Sequence, residues 1–215
     1  MNYINMHTRQ TASVMGFLLG MAGIANHGIF AIRQGNNPTG GFFIEAIGPA
    51  DRFWVHGTEG AFTLVHNYLL TGICATVAGL GIILWSLKFL GNKHGATILL
   101  LLFILLTLLG GGIGHIVIFL PTWAYATRIH SSLSWWEKKS SAGTRKALGK
   151  LWIWSLAATV FAWIMVMEMG IFGFFPGLSD PDAVLNVVFI FLFASLALLN
   201  VTFITAIARD IEARS

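Results

Sequence analysis

In a chain this apolar, few residues can do chemistry, and four of them stand out. His27 in GIANHGIF, His66 in TLVHNY and His115 in GGGIGHIVIF each interrupt a run of aliphatic and small residues. Glu59, in HGTEGAF, precedes His66 by two helical turns if the stretch is helical. Three neutral imidazoles with one carboxylate and an open position suit a transition metal such as zinc. Two imidazoles from separate helices suit the axial positions of one haem b, with nearby glycines leaving room for the porphyrin. A chain through Glu59, His66, His115 and His27 suits a proton or cation path. The plain alternative is that each ring hydrogen-bonds an interhelical carbonyl or hydroxyl and serves packing. No HxxxH spacing singles out one reading, so all four stay open.

A second set of polar residues lies elsewhere. Glu168 in MVMEMG is flanked by Met165, Met167, Met169 and Phe172, so its carboxyl needs a proton or a partner. Asn186 is the expected partner, and Asn67 flanks His66. The last two apolar runs hold no histidine, which rules out a second bis-histidine haem. There is no P-loop, dinucleotide fingerprint, nucleophile elbow or HExxH zinc motif. No catalytic residue can be named from sequence, and whether the chain is an enzyme stays open.

The elements that position these residues follow from composition. The 215 residues are 56% hydrophobic and 10% charged, against about a quarter charged in soluble domains, and mean hydropathy is +0.75. This is the composition of an all-α integral membrane protein, with the lipid bilayer as its first partner. The net charge of +4 reflects basic loops between apolar runs, not nucleic-acid affinity. Cys74 is the lone cysteine, which excludes disulfides within the chain.

A helix-length window predicts five spans, at about 11–32, 61–90, 96–124, 151–175 and 183–208, forming a single transmembrane domain over residues 1–215. The first run continues to Arg33 and is long enough to span, so it reads as a retained helix, not a cleaved signal. Five crossings put Arg33, Arg52, Arg128, Lys138, Lys139, Arg145, Lys146, Lys150, Arg209 and Arg214 on one face, and Arg9, Lys88 and Lys93 on the other. The richer face is the cytoplasmic one, which predicts the N-terminus outside and the C-terminus in the cytoplasm. On that count His27, His66 and His115 lie roughly 9, 13 and 12 Å from the cytoplasmic end. Gly16, Gly20, Gly23 and His27 share one helix face, as do Thr107, Gly111 and His115, so the rings are expected to face the bundle interior. Glu168, about 26 Å beyond Leu151, falls in the outer half, away from them.

Span count, length and histidines on separate spans are similar in architecture to the five-helix cytochrome b subunits of succinate dehydrogenase and nitrate reductase. Those carry two haems on four histidines, so at most one haem is implied here. The runs NHGIFAIRQGNNPTGG and EGAFTLVHNYLLTG resemble small polytopic bacterial membrane proteins without an assigned activity. That resemblance implies a bacterial cytoplasmic (inner) membrane protein and adds no mechanism. Two function classes follow: a membrane subunit that binds one haem b or one metal through its histidines, working beside a membrane or cytoplasmic partner subunit, or a non-catalytic accessory or transporter-like protein.

Overall fold

The computed structural model describes residues 4–214. Among them four helices are long and apolar enough to cross a membrane: α1 (Met6–Arg33), α2 (Tyr68–Phe89), α6 (Ala142–Phe172) and α7 (Pro181–Glu212). Two shorter apolar helices, α3 (Gly95–Leu108) and α4 (Ile116–Ala126), stand between them, and α5 (Ser134–Lys139) is a short connector. The remaining regular structure is a two-stranded antiparallel ribbon, β1 (Phe43–Glu45) with β2 (Gly60–Phe62), and a short 3-10 turn at Pro49–Asp51. Long helices with lipid-type composition make this a multi-pass membrane protein. Side chains such as Val77, Leu101, Phe161, Ile190 and Phe193 cover its outer face.

The expected third span is broken into two helices. At 1.5 Å per residue α3 and α4 are only about 21 and 16 Å long, short of a bilayer core of about 30 Å. They form an antiparallel hairpin, with Phe103 stacked on Phe119 at 3.7 Å between ring centroids. The start of α3 and the segment after α4 lie at one end of the bundle, where the His130 ring is 3.3 Å from the Asn92 carbonyl. Gly110 and Gly112, at φ +95° and +89°, supply the left-handed backbone that reverses the chain. Pro121 lies inside α4, which continues to Ala126.

This turn changes the topology. The two ends of the chain sit together: the Asn5 side chain donates to the Arg128 carbonyl at 2.6 Å and contacts Arg214, while Asp210 near the C-terminus accepts from His7 N and Thr8 N. Five crossings would put the termini at opposite ends of the bundle, whereas the structure puts them at the same end. That end also holds the 90–94 turn and the connector around α5. The opposite end carries the ribbon segment, the tip of the α3–α4 hairpin and the turn between α6 and α7, linked by Trp54 Nε1 donating to the Gly170 carbonyl at 3.0 Å.

Small residues set the packing. Gly20 meets the backbone of Gly79, and Gly72 meets that of Gly28, at distances where any Cβ would collide. α1 and α2 therefore pack antiparallel with their backbones almost touching. α6 and α7 form a second hairpin, joined by Thr159–Thr202 and Ser155–Thr205 hydroxyl pairs at 2.8 and 2.9 Å. Two spans differ in length from expectation. α2 begins at Tyr68, because 60–67 is strand and bend, not helix. α6 begins at Ala142, because the basic stretch before Leu151 stays helical outside the apolar core.

Candidate metal centre

Three elements converge at the hairpin tip. The first is α1, which widens into a π-helical turn over Gly23–Gly28 and there carries Asn26 and His27. Such turns offset the helical register and re-aim side chains at functional sites. The second is the hairpin turn, which ends at His115, the residue capping the start of α4. The third is the ribbon. Glu59 stands just before β2, and its carbonyl accepts from Ala46 N at 3.0 Å. The Gly60 carbonyl accepts from Ile113 N at 3.3 Å, docking the ribbon onto the hairpin tip.

The side chains meet closely. His27 Nε2 lies 3.1 Å from Glu59 Oε2, and His115 Nδ1 lies 3.8 Å from Glu59 Oε1. The two rings touch edge to face, with centroids 5.2 Å apart. One ring nitrogen from each histidine and one carboxylate oxygen lie within 4.8 Å of one another. Tetrahedral donors around zinc sit roughly 3.3 Å apart for bonds of about 2.0–2.1 Å, so small side-chain rotations close the set on an ion. The glycines of the tip make the approach possible. A Cβ on Gly112 would overlap His27 Nε2 and the His115 ring, and one on Gly114 would lie 2.6 Å from Glu59 Oε1.

The Glu59 carboxyl is held ionised by its neighbours. Burial pushes the Glu59 pKa up, but the neighbouring His115 and His27 and a hydrogen bond from the Gly114 backbone outweigh it and lower it to about 2. The site therefore holds a carboxylate, not an acid, at neutral pH. Its side chain is one-third exposed, towards a cavity of about 290 Å³ between the tip, the ribbon segment, α6 and α7. Among the described residues, six buried side-chain polar atoms lack a hydrogen-bond partner, and Asn26 Oδ1, His27 Nδ1, His115 Nδ1 and Trp163 Nε1 are four of them. Asn26, His115 and Trp163 line this cavity, and His27 packs against Gly112 at the hairpin tip. Native interiors rarely leave such atoms unpaired without an ion or ligand to answer them.

Of the residues expected from sequence, His27, His115 and Glu59 come together and His66 does not. His66 is exposed at the bend before α2 and lies edge-on to Phe42 at 4.7 Å. The helical spacing of Glu59, Thr63 and His66 has no meaning in a strand, where successive side chains alternate. Asn67 caps α2 by accepting from Leu70 N and donates to Asn36 Oδ1 at 2.8 Å. Glu168 is at the level of the cluster, because Met167 and Gly170 line the cavity, yet it points away and is exposed. The depth argument that separated it is corrected by the hairpin; the helix face is what separates it. Asn186 is also exposed, beside the cavity-lining Leu185. Glu168 and Asn186 therefore do not join the cluster, and the path expected through Glu59, His66, His115 and His27 lacks His66. His56 holds Asp182 at 2.9 Å at the cavity rim, and His7 pairs with Asp210 at 2.9 Å.

Two cavity residues went unread in the sequence. Asn26 adjoins His27 in an apolar run, and Trp163 lies mid-span, away from the interfacial positions tryptophan favours. A bis-imidazole haem does not fit. The macrocycle must lie between its two axial rings, whereas His27 and His115 are in contact and Gly112 packs against both. Comparison with protein-family models, characterised proteins and solved structures finds no match for the chain.

Proposed function

We propose that this chain is a membrane protein that binds one divalent transition-metal ion, of the zinc class, through His27, Glu59 and His115, with an open coordination position facing the cavity. The observation that carries this is the meeting of a low-pKa carboxylate and two buried imidazoles on three separate elements. Two histidines, one carboxylate and an open position form a donor set that binds an ion and leaves room for a further ligand. When bound, the ion supplies Lewis acidity at the cavity wall. Glu59 balances its charge, and the glycine turn keeps both rings in place.

The charge pattern supports an orientation. Of the 13 lysines and arginines, all but Arg33 and Arg52 belong to the end that gathers the termini. The positive-inside rule puts that end in the cytoplasm and opens the metal centre to the outer side of a bacterial inner membrane. Exposed Glu168 and Asn186 on otherwise apolar helix faces fit a partner membrane subunit packed there.

The test is elemental analysis of the detergent-purified protein after zinc loading and removal of free metal. About one ion per chain is expected, with no haem absorption. His27→Ala, His115→Ala and Glu59→Gln lose it, and His66→Ala keeps it. Equal metal content in all five proteins, each monodisperse by size exclusion, would overturn the assignment.

A further inference from the structure

The end of the bundle that gathers both termini carries a second cavity, of about 320 Å³, between α1, α6 and α7. Its charged lining is Lys146 and Lys150 of α6 with Arg209 and Glu212 of α7, joined by His7 of α1. Lys146 and Lys150, both exposed, stand four residues apart and share one face of α6. Arg209 is fixed against that same stretch. Its Nη1 donates to the Gly149 carbonyl at 3.1 Å, and its Nε donates to His7 Nε2 at 3.2 Å. The two helices come this close because a glycine stands there: a Cβ on Gly149 would lie 3.2 Å from Arg209 Cα.

Positive charge is left over. Asp210 is engaged by His7 and the start of α1, and Glu212 faces Arg145 at 3.4 Å. Among the described residues no carboxylate pairs with Lys146, Lys150 or Arg209, and Arg209 Nη2 makes no hydrogen bond. Like charges gathered round one cavity repel unless an anion answers them. A held guanidinium with two ammonium groups beside it suits a phosphate. The place is the headgroup layer, since Leu151, next after Lys150, begins the apolar part of α6. Lys150, Trp154, Ala157 and Phe161 follow at helical spacing on one exposed face, with the tryptophan at the boundary it favours. A soluble phosphate makes no use of that apolar face, whereas acyl chains can run along it.

We infer that this cavity binds the phosphate of an anionic phospholipid, of the phosphatidylglycerol class, at Lys146, Lys150 and Arg209, with its acyl chains along the Trp154–Phe161 face of α6. The inference goes beyond metal binding and holds whether or not an ion sits at His27, Glu59 and His115.

The test is native mass spectrometry of the full chain in detergent, titrated with phosphatidylglycerol or with phosphatidylcholine. Phosphatidylglycerol is expected to bind saturably at about one per chain, at concentrations where phosphatidylcholine does not bind. Lys146→Gln and Lys150→Gln each weaken it about fivefold, the worth of one cation beside an anionic lipid. Arg209→Gln weakens it at least as much. Lys138→Gln with Lys139→Gln removes two charges from α5, outside the cavity, and leaves binding unchanged. Glycerol 3-phosphate at the same concentration does not displace the lipid. Metal content stays at the wild-type level in every variant, which separates failure here from failure of the metal assignment. An equal loss in the α5 double variant, or equal binding of phosphatidylcholine, would reduce the site to a diffuse basic face and overturn it. Displacement by glycerol 3-phosphate would assign the cavity to a soluble phosphate and overturn the lipid. Should Arg209→Gln not fold, the two lysine variants decide, since neither lysine is paired among the described residues.

Discussion

Gly112 shows how one residue couples backbone to chemistry. Its φ of +89° is open to glycine at little cost, and its missing side chain is where His27 Nε2 sits. Gly112→Ala imposes both strain and overlap, so we expect metal affinity to fall by about tenfold or more, as when a ligand loses its support. Gly41→Ala, which meets nothing within 4 Å, should leave affinity unchanged in the same titration. Glu59 makes a separate prediction in the metal-free protein. Its folded pKa is depressed from 4.5 to about 2, so the stability it contributes is full above about pH 4.5 and is lost as acid approaches pH 2. Thermal melting between pH 5 and pH 3 should therefore decline more steeply in wild type than in Glu59→Gln. An identical slope in the two would show that the carboxylate is not held ionised.

At the scale of elements, the start of α1 depends on a carboxylate from the other end of the chain. Asp210, 4% exposed, accepts from His7 N, Thr8 N and Thr8 Oγ1 at 2.7–2.9 Å and from the His7 ring. The first N–H groups of a helix have no internal partner, and an anion there is favoured by the helix dipole. Asp210→Ala removes charge-assisted bonds and leaves buried donors unpaired, a loss of about 3 kcal/mol. Circular dichroism in detergent should show a midpoint about 6–12 °C lower, whereas Asp182→Ala at the exposed rim should change it little. Legibility in the sequence divides along the same elements. The helices themselves, and His27 facing inward, follow from apolar length and glycine spacing, whereas His115 is buried by a turn that helical spacing does not describe. The hairpin does not, because a window that averages hydropathy reads through GGGIG as though it were helix. His66 leaves the cluster for a related reason: helical spacing has no meaning in 60–67, where Gly60–Phe62 pairs with Phe43–Glu45, a contact between distant parts of the chain. Glu59 stands out by residue type, while its route to the histidines depends on that same ribbon.

For the whole molecule, the reversal at Gly110–Gly114 decides which solution the metal centre faces. Five crossings would put the ribbon segment in the cytoplasm and the turn before α3 outside. A re-entrant hairpin exchanges them, with the basic end and both termini inside. Two exposed positions separate the alternatives. Val55, 68% exposed, belongs to the ribbon segment, and Lys93 belongs to the turn before α3. In a Cys74→Ser background, a membrane-impermeant maleimide applied to intact spheroplasts should label Val55→Cys at once and Lys93→Cys only after lysis. The five-span arrangement requires the reverse order, so a single pair of variants distinguishes them. The result also bears on metal supply. With Val55 outside, His27, Glu59 and His115 draw their ion from the outer solution, and an impermeant chelator added to intact spheroplasts should strip the site without lysis. Retention of metal under that treatment, together with labelling of Lys93→Cys from outside, would invert the molecule and return the centre to the cytoplasmic half.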